Sequence, residues 1–421
     1  MKLKWLAAIM AAIYVIPATA AEFREYPDLP SQQVVQQVLQ NYPSVLAAQY
    51  GIKAGEAARD RLEAGSHELN LTGGAARRRI RETGENLRDW NVGLERALRL
   101  PRKAELDAAL GQQNVALAQN GYGDAMHEAG RKLLSGWFTW LRERSSSEQW
   151  LQQVEVLKQQ LEVVTRRVKA GDASPLEEDV ARAALMQAEI ELQQVKLRAD
   201  NATASLMRYF PSLPLPPRLP AGEPQPLPQD LAYWLDLALD HNHELLLARA
   251  ESRIARLSAQ RADADRIPDP TVGLHYISER NGSDSITGVS VTIPLPGGAR
   301  RAASAEAASR ADMATQREAL VLRRIEADIT AAYNRAKASY ASWQSATAAS
   351  GLMQRNADKM ARAYDLGESG LNDVLLARRQ AMDARLAAVL AQLESSESLY
   401  RLLLDTHQLW RLGSEASEGH H

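Results

Sequence analysis

The feature that most constrains this chain is an internal duplication built from very long helical runs. The segment Val168-Lys169-Ala170-Gly171-Asp172-Ala173-Ser174-Pro175-Leu176-Glu177 aligns without a gap on Tyr364-Asp365-Leu366-Gly367-Glu368-Ser369-Gly370-Leu371-Asn372-Asp373. Each copy has a glycine, then an acid six residues later, then Ala-Arg (Ala181-Arg182, Ala377-Arg378) and a methionine (Met186, Met382). The offset is 196 residues; Leu100-Pro101 over Leu295-Pro296 (195) and Asn41 over Asn242 (201) extend it. A repeat of this length fixes architecture before any single site does.

Each half has the same order. A helix of roughly 35 residues comes first, over about Leu29–Gly65 and Gln229–Arg266, opened at Asn41 and Asn242 by matching positions. A hairpin follows, over about Glu68–Leu100 and Thr271–Leu295. Then come proline-free stretches, Arg102–Ser174 and Gly297–His421, that bend at Gly171 and Gly367 and return as helices. Seventy helical residues from Pro101 to Ala170 would reach roughly 100 Å. Gly121, Gly123, Gly130 and Gly136 are expected to kink or interrupt that helix. Leu151, Val154, Leu157, Leu161, Val164 and Val168 before the first bend, and Met382, Leu386, Val389, Leu393, Tyr400 and Leu403 after the second, recur at steps that place them on one packing stripe. Eight of the eighteen residues from Pro211 to Pro228 are proline, a stiff extended linker. The predicted division is a secretory signal peptide over 1–20, a first repeat over 21–210, the linker over 211–228, a second repeat over 229–412 and a tail over 413–421.

The signal peptide is read from Lys2 and Lys4, the apolar run Trp5–Ile16, Pro17 and the Ala18-Thr19-Ala20 cleavage pattern. The mature chain then lies outside the cytoplasm. It has no cysteine, which removes disulfides, thiolate metal sites and an N-terminal lipid on cysteine. A net charge of −2 gives no reason to expect nucleic acid. No mature stretch is apolar for long enough to span a bilayer as a helix. The hairpins alternate instead: Trp90, Val92 and Leu94; Val272, Leu274 and Tyr276; Val289, Val291, Ile293 and Leu295. Such strands fit a membrane barrel or a soluble hairpin buried on one face. Arg77, Arg78, Arg79 and Arg81 are placed in an external loop facing the anionic outer leaflet. Two hairpins give four strands, too few to close a membrane barrel within one chain, so a membrane reading requires a barrel shared between chains.

With Asn41-Tyr42-Pro43, Ile267-Pro268-Asp269-Pro270, Ile293-Pro294-Leu295-Pro296-Gly297-Gly298 and Tyr364-Asp365-Leu366-Gly367 followed by Asp373-Val374-Leu375 in this order, the chain resembles the TolC-type outer-membrane efflux channels, within them the heavy-metal (CzcC-like) branch. The resemblance implies a mainly α fold with a small β part. It implies a homotrimer whose 12-stranded transmembrane β-barrel continues as a periplasmic α-helical barrel, in the outer membrane of a Gram-negative bacterium. It further implies no cofactor, no covalent chemistry, and a passive exit duct docked to a periplasmic adaptor and a proton-driven inner-membrane transporter, embedded in outer-membrane lipid. Heavy-metal cations are the expected cargo. A drug or small-molecule duct of the same family and a secreted coiled-coil scaffold without a pore are the alternatives. Two departures stand out: Ser369 occupies the position of an arginine that locks the closed tip in some members, and Leu376 that of a second acid.

The candidate docking turns are Gly171, Asp172, Ala173 and Ser174 with Gly367, Ser369 and Gly370. The candidate gate is Asp373, with Glu368 and Tyr364. Asp373 reads either as an acidic ring tripled by symmetry or as a helix-start residue favoured by the helix dipole. Glu177 reads as the far arm of a capping box on Ser174. His241 and His243, two apart, diverge on a helix and are not placed as metal ligands. No P-loop, dinucleotide fingerprint, H-E-x-x-H or G-x-S-x-G is present, and no enzyme is expected.

Overall fold

The computed structural model of the chain describes residues 25–220, 222–410 and 412. The expected signal peptide and the tail with His420 and His421 lie outside the described residues. Eight α-helices and four strands are described: α1 (Gln32–Gln40), α2 (Pro43–Ala64), β1 (Leu69–Arg79), β2 (Asn86–Ala97), α3 (Pro101–Ala170), α4 (Pro175–Tyr209), α5 (Leu231–His241), α6 (His243–Ala264), β3 (Thr271–Glu279), β4 (Asp284–Thr292), α7 (Gly298–Asp365) and α8 (Leu371–Asp405). No helix among the described residues is long and apolar enough to cross a membrane.

The first helix of each half is broken. Pro43 cannot donate to the helix before it, so α1 ends at Gln40 and Pro43 begins α2. In the second half the Asn242 side chain accepts from the Leu245 N–H at 2.9 Å, capping the helix that opens there and dividing the expected span of roughly 35 residues.

Helix α3, in contrast, runs unbroken through its glycines. They serve close approach. A β-carbon on Gly123 would meet the His243 ring at 2.6 Å, one on Gly130 would meet Leu412 at 2.6 Å, and one on Gly136 would meet Leu206 at 3.2 Å. The expected interruption is thus corrected: packing of α6, α4 and the C-terminal segment against α3 holds its backbone helical where isolated propensity would not.

The four strands form one antiparallel sheet in the order β1-β2-β3-β4, leaving β1 and β4 as open edges. Register divides the sheet into two unlike faces. Leu71, Leu94, Leu274 and Val289 lie in one row, flanked by the row of Leu69, Arg96, Val272 and Val291 and by Val92, Tyr276 and Trp90. These apolar side chains are exposed, Val289 at 68% and Leu71 at 75%. The opposite face carries Thr72, Asn91, Asp89, Glu95, His275, Glu279 and Ser290. An apolar face turned to solvent on an unclosed sheet requires lipid or another chain.

Arginines 77–79 are not in a loop. They are the last residues of β1, and the pleat sends Arg78 to the polar face and Arg77 and Arg79 to the apolar one. The strand extends because Arg78 is anchored: its Nε donates to Asp89 at 2.9 Å and its terminal nitrogen to Glu279 at 2.8 Å, bridging three strands.

The helices pack side by side in a layer. Beside the sheet the packing order is α2, α3, α6, α7; toward the turns it is α4, α3, α8, α7. Among the described residues, no element covers the outer flanks, α4 with exposed Leu176, Met186, Ile190 and Leu197 and α7 with exposed Met313, Leu320 and Leu352. The main core lies between these ends, where Leu133, Leu134, Trp137, Phe138 and Leu141 of α3 meet Leu39 of α1, Trp234 of α5 and Leu402 and Leu404 of α8.

Where helices meet strands, a buried ionic cluster ties six chain crossings together. Lys103, whose side chain is 2% exposed, contacts Asp265 at 3.0 Å and Asp269 at 2.9 Å. Asp269 also accepts from the Leu100 N–H and bonds His67. Asp107 pairs with Arg99 and Arg261, and Arg99 donates to the carbonyls of Leu62 and Glu63 that end α2. Arg300 of α7 donates to the Asp265 carbonyl. Burial alone would raise the Asp269 carboxyl, but hydrogen bonds from Lys103, Leu100 and His67 hold it below its ordinary range.

Candidate functional site

The two helical turns are built by the same local rule. Gly171 sits at φ +82°, and Gly171 and Asp172 donate to the carbonyls of Val168 and Arg167 at 3.1 and 2.8 Å. Gly367 sits at φ +78°, and Gly367 and Glu368 donate to Tyr364 and Ala363 at 3.0 and 2.8 Å. Both are Schellman endings, in which a left-handed residue lets two terminal carbonyls find partners. Open space surrounds both positions, so it is the backbone conformation that favours glycine there.

The helices that leave the turns start differently. At α4 the Ser174 hydroxyl accepts from the Glu177 N–H at 3.3 Å with Pro175 in the first helical position. At α8 the Gly370 N–H donates to the Asp373 carboxylate at 3.4 Å, and glycine has no side chain to return the bond. The Ser369 hydroxyl instead reaches back to the Met360 carbonyl at 3.3 Å. Asp373 and Glu368 are exposed.

Glu177 corrects the capping-box expectation. Its side chain does not return to Ser174. It accepts a hydrogen bond from the Tyr364 hydroxyl at 3.0 Å, across 187 residues of sequence. Tyr364 is 6% exposed and packs with Val164, Ala181, Leu371 and Val374. The Arg167 guanidinium lies 4.6 Å from its ring centroid. Burial first, then the bond to Glu177, push the Tyr364 phenol above its ordinary value, so it remains a donor throughout the neutral range. The structure therefore joins Tyr364 of one hairpin to Glu177 of the other, and leaves Asp373 and Glu368 on the surface beside them. A sequence reading that took Tyr364 and Glu177 separately had no means to pair them, because only side-by-side packing of the two hairpins brings equal heights together.

Among the described residues no group of three or more histidine and acidic side chains could hold a metal ion. The arrangement has no nucleophile with a base beside it. What it offers is one hydrogen bond between the two hairpins, Tyr364 to Glu177, at the end of a long helical layer, with exposed acids beside it.

The family model for outer membrane efflux proteins matches residues 34–210 and 234–404, both halves of the duplication. No curated protein matches the chain by sequence. Several solved structures share the fold. The outer membrane protein VceC from Vibrio cholerae is 16% identical, with 90% of this chain and 96% of that one covered and a TM-score of 0.74. The CmeC outer membrane channel of Campylobacter jejuni is 14% identical, with coverage of 99% and 96% and a TM-score of 0.77. The open state of the Neisseria gonorrhoeae MtrE outer membrane channel is 17% identical, with coverage of 91% and 90% and a TM-score of 0.72.

Proposed function

The chain belongs to the outer membrane efflux protein family, whose members are Gram-negative outer-membrane channels of tripartite pumps, and we propose that it acts as a homotrimeric exit duct. The observation that carries the trimer is the double set of open flanks. β1 and β4 are free sheet edges, and α4 and α7 are free, apolar-studded helix flanks at the corresponding sides of the layer. Unpaired strand edges in hydrocarbon leave several kcal/mol unsatisfied per backbone group. Repeating the unit about an axis pairs β1 with the next β4 and covers α4 with the next α7 in one operation. Three copies give twelve strands, within the range of membrane barrels. Mass measurement in detergent with conductance in a planar bilayer tests this: a trimer that conducts is expected, and a stable conducting monomer would refute it.

The duct performs no covalent chemistry. The apolar sheet face meets lipid, and the polar face, with Asp89, Glu95 and Glu279 against Arg78, lines an acid-rich bore. That balance, with the short β1–β2 and β3–β4 turns, favours heavy-metal cations as cargo, selected upstream by a proton-driven inner-membrane transporter.

The turns around Gly171, Asp172, Ala173, Ser174, Gly367, Ser369 and Gly370 are the apices of the helical hairpins, farthest from the sheet, and are proposed to dock the periplasmic adaptor. Glutamate in place of Ala173 or Gly370 is expected to abolish export in a reconstituted pump and to leave trimer mass unchanged. Asp373, Glu368 and Tyr364 are proposed as the gate. Three exposed Asp373 carboxylates near the axis would attract a blocking cation. Asp373→Asn is then expected to weaken block by millimolar divalent cations in single-channel recordings. Identical blocking curves would leave Asp373 a helix-start residue.

A further inference from the structure

The run Arg77-Arg78-Arg79 is divided by the pleat into two chemistries. Arg78 is fully occupied on the polar face by Asp89 and Glu279. Arg77 and Arg79 point from the apolar face, where Arg77 stands directly opposite Arg88 of β2. Like charges in facing strand positions destabilise a sheet unless an anion lies between or above them. Among the described residues none of Arg77, Arg79 and Arg88 has a carboxylate at ion-pair distance; the hydrogen bond to a side chain at Arg88 is made by its backbone N–H, to Asn281. The neighbouring Arg280 is already paired with Asp284. Closure of the barrel does not supply an acid either, because β4 presents Ser285, Thr287, Val289 and Val291 on this face.

The position of the three arginines is specific. They lie at the end of the sheet away from the helices, since α2 and α3 attach at Leu69 and Ala97. Arg88 is two residues beyond Trp90, about 7 Å along the strand. Trp90 and Tyr276, with ring centroids 5.4 Å apart, end the apolar belt below it. An aromatic pair at that level marks the border between hydrocarbon and headgroups. A guanidinium just above this border is placed for bidentate hydrogen bonding to a phosphate, which lysine would hold only as a point charge.

We propose that Arg77, Arg79 and Arg88 form a binding site for the phosphorylated headgroup of an outer-leaflet lipid, one per protomer, on the outer wall of the barrel. The inference rests on the barrel reading above for which face meets lipid. It adds a ligand where conduction requires none: the site would order lipid around the rim and fix the height of the barrel in the membrane.

Native mass spectrometry of the full trimer with diphosphoryl lipid A, dephosphorylated lipid A and inorganic phosphate tests it. The wild-type trimer is expected to retain up to three diphosphoryl lipid A molecules and far less of the dephosphorylated form. Affinity should fall roughly fivefold for each arginine changed to glutamine, and about a hundredfold for Arg77→Gln, Arg79→Gln and Arg88→Gln together. Lysine at the same three positions should bind at an intermediate level, which guards against loss of fold in the glutamine variant. Arg96→Gln, on the same face at the opposite rim, should bind like wild type. Equal binding by the triple glutamine variant, equal binding of dephosphorylated lipid, or full displacement by inorganic phosphate would each overturn the proposal. A wild-type chain that shows neither trimer mass nor conductance would instead count against the duct reading, so the two failures are distinguishable.

Discussion

Lys103→Ala is expected to destabilise the chain by roughly 3–5 kcal/mol. The Lys103 ammonium is 2% exposed and lies against Asp265 and Asp269. Removing it leaves Asp269, 15% exposed, with only the Leu100 N–H and His67 as partners, while Asp265 keeps Arg261 and partial contact with water. The cost is mostly that of a buried carboxylate deprived of its cation rather than of a lost attraction. Resistance of the trimer to dissociation by heat or by detergent measures it. Two further results separate this account from simple loss of packing. Lys103→Met with Asp265→Asn and Asp269→Asn, which neutralises the whole cluster, should recover most of the loss. The response to acid should also reverse. In the wild type both aspartates are held below their ordinary range, so their contribution is complete above about pH 4 and is lost as pH falls from there through their depressed folded-state values. In Lys103→Ala the Asp269 carboxyl loses its cation and moves upward, so acidification should restore part of the stability. A variant that loses less than about 1 kcal/mol and shows the wild-type acid response would mean that the cluster is solvated in the assembled channel.

That cluster also shows where sequence reading stops. The duplication, the hairpins and the two glycine turns were legible because each is a local rule: alternation, a left-handed residue, a serine cap followed by proline. The arginine run was misplaced because composition was read where pleat and partners decide. Alternation predicts that neighbouring residues face opposite ways, but nothing local says that Asp89 and Glu279, 11 and 201 residues from Arg78, will keep the strand extended. The breaks at Tyr42 and Asn242 carried a signal: Pro43 forbids continuation, and Asn242 is a good cap. The glycines of α3 misled because helix propensity penalises them, whereas His243, Leu412 and Leu206 occupy the space they leave. Asp269 stood in the Ile267-Pro268-Asp269-Pro270 motif without a role, and Lys103 and Asp265 had no signal, since a buried lysine looks like any other lysine until its surroundings are known.

Tyr364→Phe is expected to shift the duct toward an open inner end, and the same bond explains by how much. The hydroxyl donates to the Glu177 carboxylate at 3.0 Å from a largely buried ring, a hydrogen bond to a charged acceptor worth roughly 1.5–3 kcal/mol. The bond joins the end of α7 to the start of α4, so it counts only while the two hairpin tips lie side by side. If opening separates them, losing the bond changes the closed-to-open ratio of each protomer by about 10- to 150-fold, because 1.4 kcal/mol is a factor of ten. Phenylalanine keeps the ring against Val164, Ala181 and Val374 and beneath Arg167, so the fold should be retained. Glu177→Gln keeps an acceptor without the charge and should open the duct less. The double variant should open it no more than Tyr364→Phe alone, since both remove one contact and their effects cannot add. Open probability in single-channel recordings at neutral pH, where the phenol stays protonated, reads all three. Additive effects would mean that each residue acts through a different partner. An unchanged open probability in all three would make the bond a fixture of both states, leaving the gate to the exposed acids Asp373 and Glu368, with their divalent block as the remaining measure of closure.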